Sequence, residues 1–139
     1  MLLRTATLAM ACALLAAGCE DDNQQKISDI SAQEAINLVE ENARNADFVI
    51  LDVRTPEEFA QGHLANAVNM DYYAADFETR LQGLNKNAVY LVYCGSGMRS
   101  AKVIEMMREL GFAEAYNVLG GFPAIQVAAT ATCGCIFAE

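Results

Sequence analysis

At 139 residues, with 54% hydrophobic and 19% charged side chains, the chain suits one compact domain and is too apolar to be disordered throughout. A formal charge of −9, with no cluster of Lys or Arg, gives no footing for nucleic acid. One His beside five Cys excludes a His-rich zinc site, and the lack of a second long apolar run excludes a multi-span transporter.

Arg4 is the only charge before an uncharged run from Thr5 to Cys19 that is rich in Ala and Leu. The run is short for a bilayer span and suits the apolar core of a signal peptide. It closes on Leu15-Ala16-Ala17-Gly18-Cys19, followed at once by Glu20, Asp21 and Asp22. Small residues leave the backbone open to a peptidase, and the Cys thiol can accept a lipid. This segment resembles the lipobox of bacterial lipoproteins, with Ala16 at a position where Leu is more usual. The resemblance implies that residues 1–18 are removed and that Cys19 becomes the lipidated first residue. The protein would then be exported and held at the periplasmic face of a bacterial membrane. An acidic surface is repelled by anionic lipid, so membrane contact would run through the lipid alone. Residues 19–26 read as a polar tether.

A domain is expected over residues 27–127. Ser31 and Glu34 have capping-box spacing, with Ala35, Ile36, Leu38 and Val39 forming an apolar helical stripe behind them. Phe48 to Leu51 reads as a buried strand ending at Asp52. Thr55-Pro56-Glu57-Glu58 starts a second helix, stopped at Gly62; Ala67 to Asn69 is a short strand, and Tyr73 to Leu81 is weakly helical. Ala88 to Tyr93 is the clearest buried strand, followed by a loop over 94–100 and a helix from Ala101 to Leu110. A last strand at 116–119 and a short helix at 122–127 complete the pattern. Strand–helix alternation of this kind predicts an α/β sheet covered by helices on both faces. Asp52 and Cys94 should both lie at carboxyl ends of strands, where such folds place their crevices.

The loop Cys94-Gly95-Ser96-Gly97-Met98-Arg99-Ser100 carries the chemistry. Its two glycines let the backbone curl, turning N–H groups inward around the Cys94 sulfur, and the following helix adds its positive end. Such a cradle favours thiolate over thiol. Arg99 adds a cation at the rim, and Ser100 either caps the helix or donates a hydrogen bond into the loop. By itself the pattern also suits a small buried Cys beside a glycine turn.

The loop resembles the active-site motif of the rhodanese family, Cys-x-x-Gly-x-Arg-Ser. Asp52-Val53-Arg54-Thr55-Pro56-Glu57-Glu58-Phe59 and Gly62-His63-Leu64 are similar to a second motif of that family, and Gly120-Gly121 to its paired glycine. The resemblance implies a single domain built on a mostly parallel five-stranded sheet. It also implies sulfurtransfer without a cofactor or metal. Cys94 would take sulfur as a persulfide from a small sulfur-containing anion such as thiosulfate and pass it to cyanide or a thiol. Residues 95–100 would bind the donor, with Arg99 orienting it, while Asp52 and Arg54 would brace the loop.

Two rival readings are a tethered binding or redox-sensing module and a cysteine phosphatase. Phosphatase loops on related folds place Arg six positions after the Cys, whereas Arg99 follows Cys94 by five, a smaller cradle. His63 follows Gly62 and reads as a residue tying the chain to nearby backbone rather than as a base. The tail over 128–139 contains Cys133-Gly134-Cys135, which suits an inert extension, a relay or resolving pair for the Cys94 persulfide, or half of a metal site. Nothing in the pattern specifies an oligomeric state.

Overall fold

The computed structural model describes residues 24–132 and 137–138. Both capping boxes close. Ser31 Oγ accepts the Glu34 N–H at 3.3 Å while Glu34 Oε2 accepts the Ser31 N–H at 2.8 Å, opening α1 (Ala32–Glu41). Thr55 and Glu58 do the same for α2 (Pro56–Ala60), with Pro56 in the first turn, where a missing N–H loses no bond. The two apolar runs become β2 (Phe48–Asp52) and β5 (Val89–Tyr93).

The other elements are β1 (Lys26–Ile30), β3 (His63–Leu64), β4 (Val68–Asn69), α3 (Phe77–Gln82), α4 (Met98–Glu109), β6 (Glu114–Val118), α5 (Gly121–Thr132) and β7 (Phe137–Ala138). Five strands lie in the order β1-β6-β5-β2-β4, with every pairing parallel. Alternate residues of β5 feed opposite faces. Tyr90 and Val92 pack with Leu81, Val103, Met107 and Phe112, whereas Leu91 and Tyr93 pack with Ile36, Phe122 and Ile125. The expected α/β architecture, a parallel five-stranded sheet with helices on both faces, is the one the chain adopts.

Several segments differ from the sequence reading. β1 was not expected: Lys26-Ile27-Ser28-Asp29-Ile30 has few apolar side chains, as an edge strand with one neighbour allows, yet it pairs in register with β6 from Lys26↔Glu114 to Ile30↔Val118. Two residues of the tether expected over 19–26 thus pack on the domain: Lys26 opens β1, and the Gln25 amide donates to the carbonyls of Arg108 and Phe112, both at 3.0 Å. α4 begins at Met98 rather than Ala101, because Gly97 and not Ser100 is its N-cap. α5 runs through Ala128 to Thr132, and β7 pairs antiparallel with β3, Leu64 opposite Phe137. Much of the segment read as a tail therefore has secondary structure. The signal segment 1–18, Cys19, Cys133 and Cys135 lie outside the described residues. Among the described residues no helix is long and apolar enough to cross a membrane.

β5 leads through α4 to β6 on one side, while β2 leads to β4 on the other. The crevice between β2 and β5 is where connections diverge at the strands' carboxyl ends. Asp52 stands opposite Tyr93 there, and the Val53 N–H donates to the Tyr93 carbonyl at 3.0 Å. Cys94 is the next residue along.

Candidate active site

Cys94 leaves the central strand with its side chain fully buried. Its sulfur accepts the Gly97 N–H at 3.1 Å and the Ser100 hydroxyl at 3.4 Å. Burial pushes the thiol up, but the Ser100 hydroxyl and the backbone N–H groups of Ser100, Ser96 and Gly97 together outweigh it. The Cys94 pKa falls below its ordinary value. Ser100 is thus no cap: inside the first turn of α4 it is buried and turned toward the sulfur. Ser96 and Met98 carry exposed side chains, and Ser96 serves through its backbone.

The curl has a definite backbone cause. Gly97 has φ 90°, where side chains are strained, and a β-carbon there would also lie 3.2 Å from the Gly120 nitrogen. Opposite, Gly121 packs so closely that any β-carbon would stand 2.8 Å from the Gly95 carbonyl carbon, and the Phe122 N–H donates to the Cys94 carbonyl at 2.8 Å. The paired glycines after β6 therefore form the floor that holds the cradle in shape.

Arg99 is not the free rim cation expected. Its guanidinium forms a two-pronged ion pair with Glu58, Nη1–Oε2 and Nη2–Oε1 both at 2.9 Å, and lies over the Tyr73 ring with 5.6 Å to its centre. Hydrogen bonding to Arg99 holds the Glu58 carboxyl down to about 2 despite partial burial, which raises it. The same interaction raises Arg99 above its ordinary value. Glu58 is the site residue that the sequence did not disclose: its spacing from Thr55 marks it as a helix cap, and nothing local announces a partner 41 positions away.

Asp52 and Arg54 pair with each other in the buried interior, Nη2–Oδ2 at 2.7 Å. Arg54 also donates to the Gly62 carbonyl at 2.7 Å and lies over the Phe122 ring at 4.0 Å. Among the described hydrogen bonds none joins either side chain to residues 94–100, so the expected direct bracing is replaced by an indirect path through Phe122. His63 stacks on Phe59 with ring centres 3.6 Å apart, its Nδ1 3.0 Å from the Phe59 carbonyl, as expected of a residue tying down the chain. A cleft of about 510 Å³ lined by Val39, Ala43, Phe48 and Asn66 lies elsewhere, where β2 begins. Among the described residues no cluster of His, Cys, Asp and Glu has the makings of a metal site.

What the cradle can do chemically is stabilise negative charge on a buried sulfur at the carboxyl end of the central strand. Residues 31–128 match the model of the rhodanese-like domain. The chain is 36% identical over 93 residues to the thiosulfate sulfurtransferase GlpE of Coxiella burnetii, covering 67% of this chain and 81% of that protein. It is 34% identical over 87 residues to the putative sulfurtransferase YtwF of Bacillus subtilis, covering 63% of this chain and 82% of that one. Among solved structures, a rhodanese-like domain protein from Staphylococcus aureus superposes with a TM-score of 0.59 at 34% identity, covering 71% of this chain and 91% of that one. With the loop, the fold and these likenesses in agreement, the chain belongs to the rhodanese-like domain family.

Proposed function

We propose that the protein is a sulfurtransferase working through Cys94. The thiolate attacks the outer sulfur of a sulfane donor, thiosulfate or a persulfide. The donor's S–S bond breaks, its electron pair leaves with sulfite or a thiolate, and Cys94 keeps the sulfur as a persulfide anion. Cyanide or an acceptor thiolate then attacks that outer sulfur and returns the electron pair to Cys94. Donor and acceptor balance the exchange, so no further redox partner enters. The observation that carries this reading is the sulfur of Cys94 facing the Gly97 N–H and the Ser100 hydroxyl, donors fixed for negative charge before and after transfer. The names of the related proteins point the same way.

Arg4, the uncharged run to Cys19 and the lipobox-like ending support export and lipidation at Cys19. A role for Cys133 and Cys135 in receiving or resolving the sulfur rests on the sequence alone, two thiols with one Gly between them.

Incubating residues 20–139 with thiosulfate and then cyanide should give turnover, and Cys94→Ser should abolish it. Peptide mass mapping after thiosulfate alone should find one added sulfur at Cys94, with sulfur or a disulfide at Cys133 or Cys135 if they serve as a relay. Donor binding without turnover would instead make the domain a binding or sensing module.

A further inference from the structure

The two ends of the Glu58–Arg99 pair come from different helices and meet beside the reacting loop. Three observations bear on what the pair does there. Both carboxylate oxygens grip the guanidinium at 2.9 Å, the strongest geometry available to these side chains. The pair lies against the cradle itself: a β-carbon on Gly95 would stand 3.1 Å from Arg99 Nη2 and 3.3 Å from Glu58 Oε1. Glu58 is also tethered, because its Oε2 accepts the Thr55 N–H at 3.1 Å in the cap of α2.

We infer that Glu58 is a positioning residue that sets donor specificity: by holding Arg99 beside the cradle it withholds that cation from doubly charged donors and biases Cys94 toward less charged ones, alkyl persulfides above all. This rests on the sulfurtransfer reading and narrows it.

The reasoning is electrostatic. Thiosulfate brings two negative charges toward a thiolate on a chain whose formal charge is −9. Its sulfonate gains Arg99 only by displacing a chelating carboxylate, which would leave Glu58 unpaired beside an incoming dianion. An alkyl persulfide carries one charge at most. Cys94 attacks its outer sulfur, the S–S bond breaks, and the electron pair leaves on an alkyl thiolate that takes a proton from water. No step of that exchange calls for a free guanidinium, since the cradle's own N–H groups carry the charge on sulfur.

Glu58→Gln isolates the charge, because Gln at this position still completes a capping box. The rate of persulfide formation at Cys94 is measured with thiosulfate and with 2-hydroxyethyl persulfide. The thiosulfate-to-persulfide ratio of kcat/KM should rise about ten-fold in Glu58→Gln, through a lower KM for thiosulfate rather than a higher kcat. In an Arg99→Ala background the same substitution should leave that ratio unmoved, since Glu58 acts through Arg99. The unaltered protein supplies a reading that needs no variant. With Arg99 held by Glu58 on a chain of net negative charge, thiosulfate should react faster as salt screens like charges, and more steeply so than the persulfide. An unchanged ratio in Glu58→Gln, an equal shift in the Arg99→Ala background, or a thiosulfate rate that falls with salt would each overturn the inference while leaving sulfurtransfer standing. Failure of both donors to load Cys94 would overturn both.

Discussion

A buried cysteine is ordinarily inert, and Cys94 is buried without remainder. What separates it from a structural thiol is where its neighbours aim their hydrogens. Ser100 reaches the sulfur with its hydroxyl and, at the helix start, with its N–H. Ser100→Ala removes the hydroxyl from the charged form, so the Cys94 pKa should rise. Alkylation of Cys94 by iodoacetamide at neutral pH should slow several-fold, with its pH profile displaced to higher pH. An unmoved profile would mean that the backbone amides suffice. The sequence made the cradle legible only by combination, since the two glycines alone suit a plain turn and it is the buried strand before them, Arg99 and the helix start that single the loop out. It left Ser100 open between a cap and a donor into the loop, because a hydroxyl at a helix start is ambiguous until the first turn is located, and the structure takes the second. Arg99 was misread for a different reason: its neutralising partner lies far away in sequence, and only the fold brings it close.

Among the elements, α2 and α4 are joined at the site by the Glu58–Arg99 pair, which crosses from one to the other. Glu58 titrates at about 2 in the folded protein against 4.5 for a free carboxyl. A lowered folded pKa means that the stabilisation is present above the unfolded value and disappears as pH drops through the folded one. The pair should therefore stabilise the protein above about pH 4.5 and stop doing so toward pH 2. Both side chains are partly exposed, so the contribution is modest, about 0.5–1 kcal/mol. Urea midpoints at acid and neutral pH should fall less for Glu58→Gln than for the unaltered protein. Central strands were readable here because burial on both faces demands unbroken apolar runs, as in Val89 to Tyr93. β1 and β7 were not, because an edge strand and a two-residue ribbon ask only for backbone pairing, which leaves little trace in side-chain pattern.

At the scale of the molecule, one ring gathers distant parts of the chain. Phe122 stacks on Tyr93, lies beneath Arg54 and meets Phe137 edge-on, so strand β5, the buried Asp52–Arg54 pair and ribbon β3–β7 share one neighbour. The buried pair matters chiefly through what its loss would leave: a lone charge in an apolar interior, typically about 3–5 kcal/mol of destabilisation. The opposite end of the chain bears on location. Labelled palmitate should enter the full-length protein expressed in a bacterium and fail to enter Cys19→Ala, and export without label would mean cleavage without a lipid.

Contact between the Phe122 N–H and the Cys94 carbonyl has a practical corollary. That amide proton is hydrogen-bonded to the peptide unit of Cys94 itself, so its magnetic resonance frequency follows small displacements of the cradle. Loading the thiolate with an additional sulfur would be visible in a backbone spectrum at residue 122, with no dye and no engineered label.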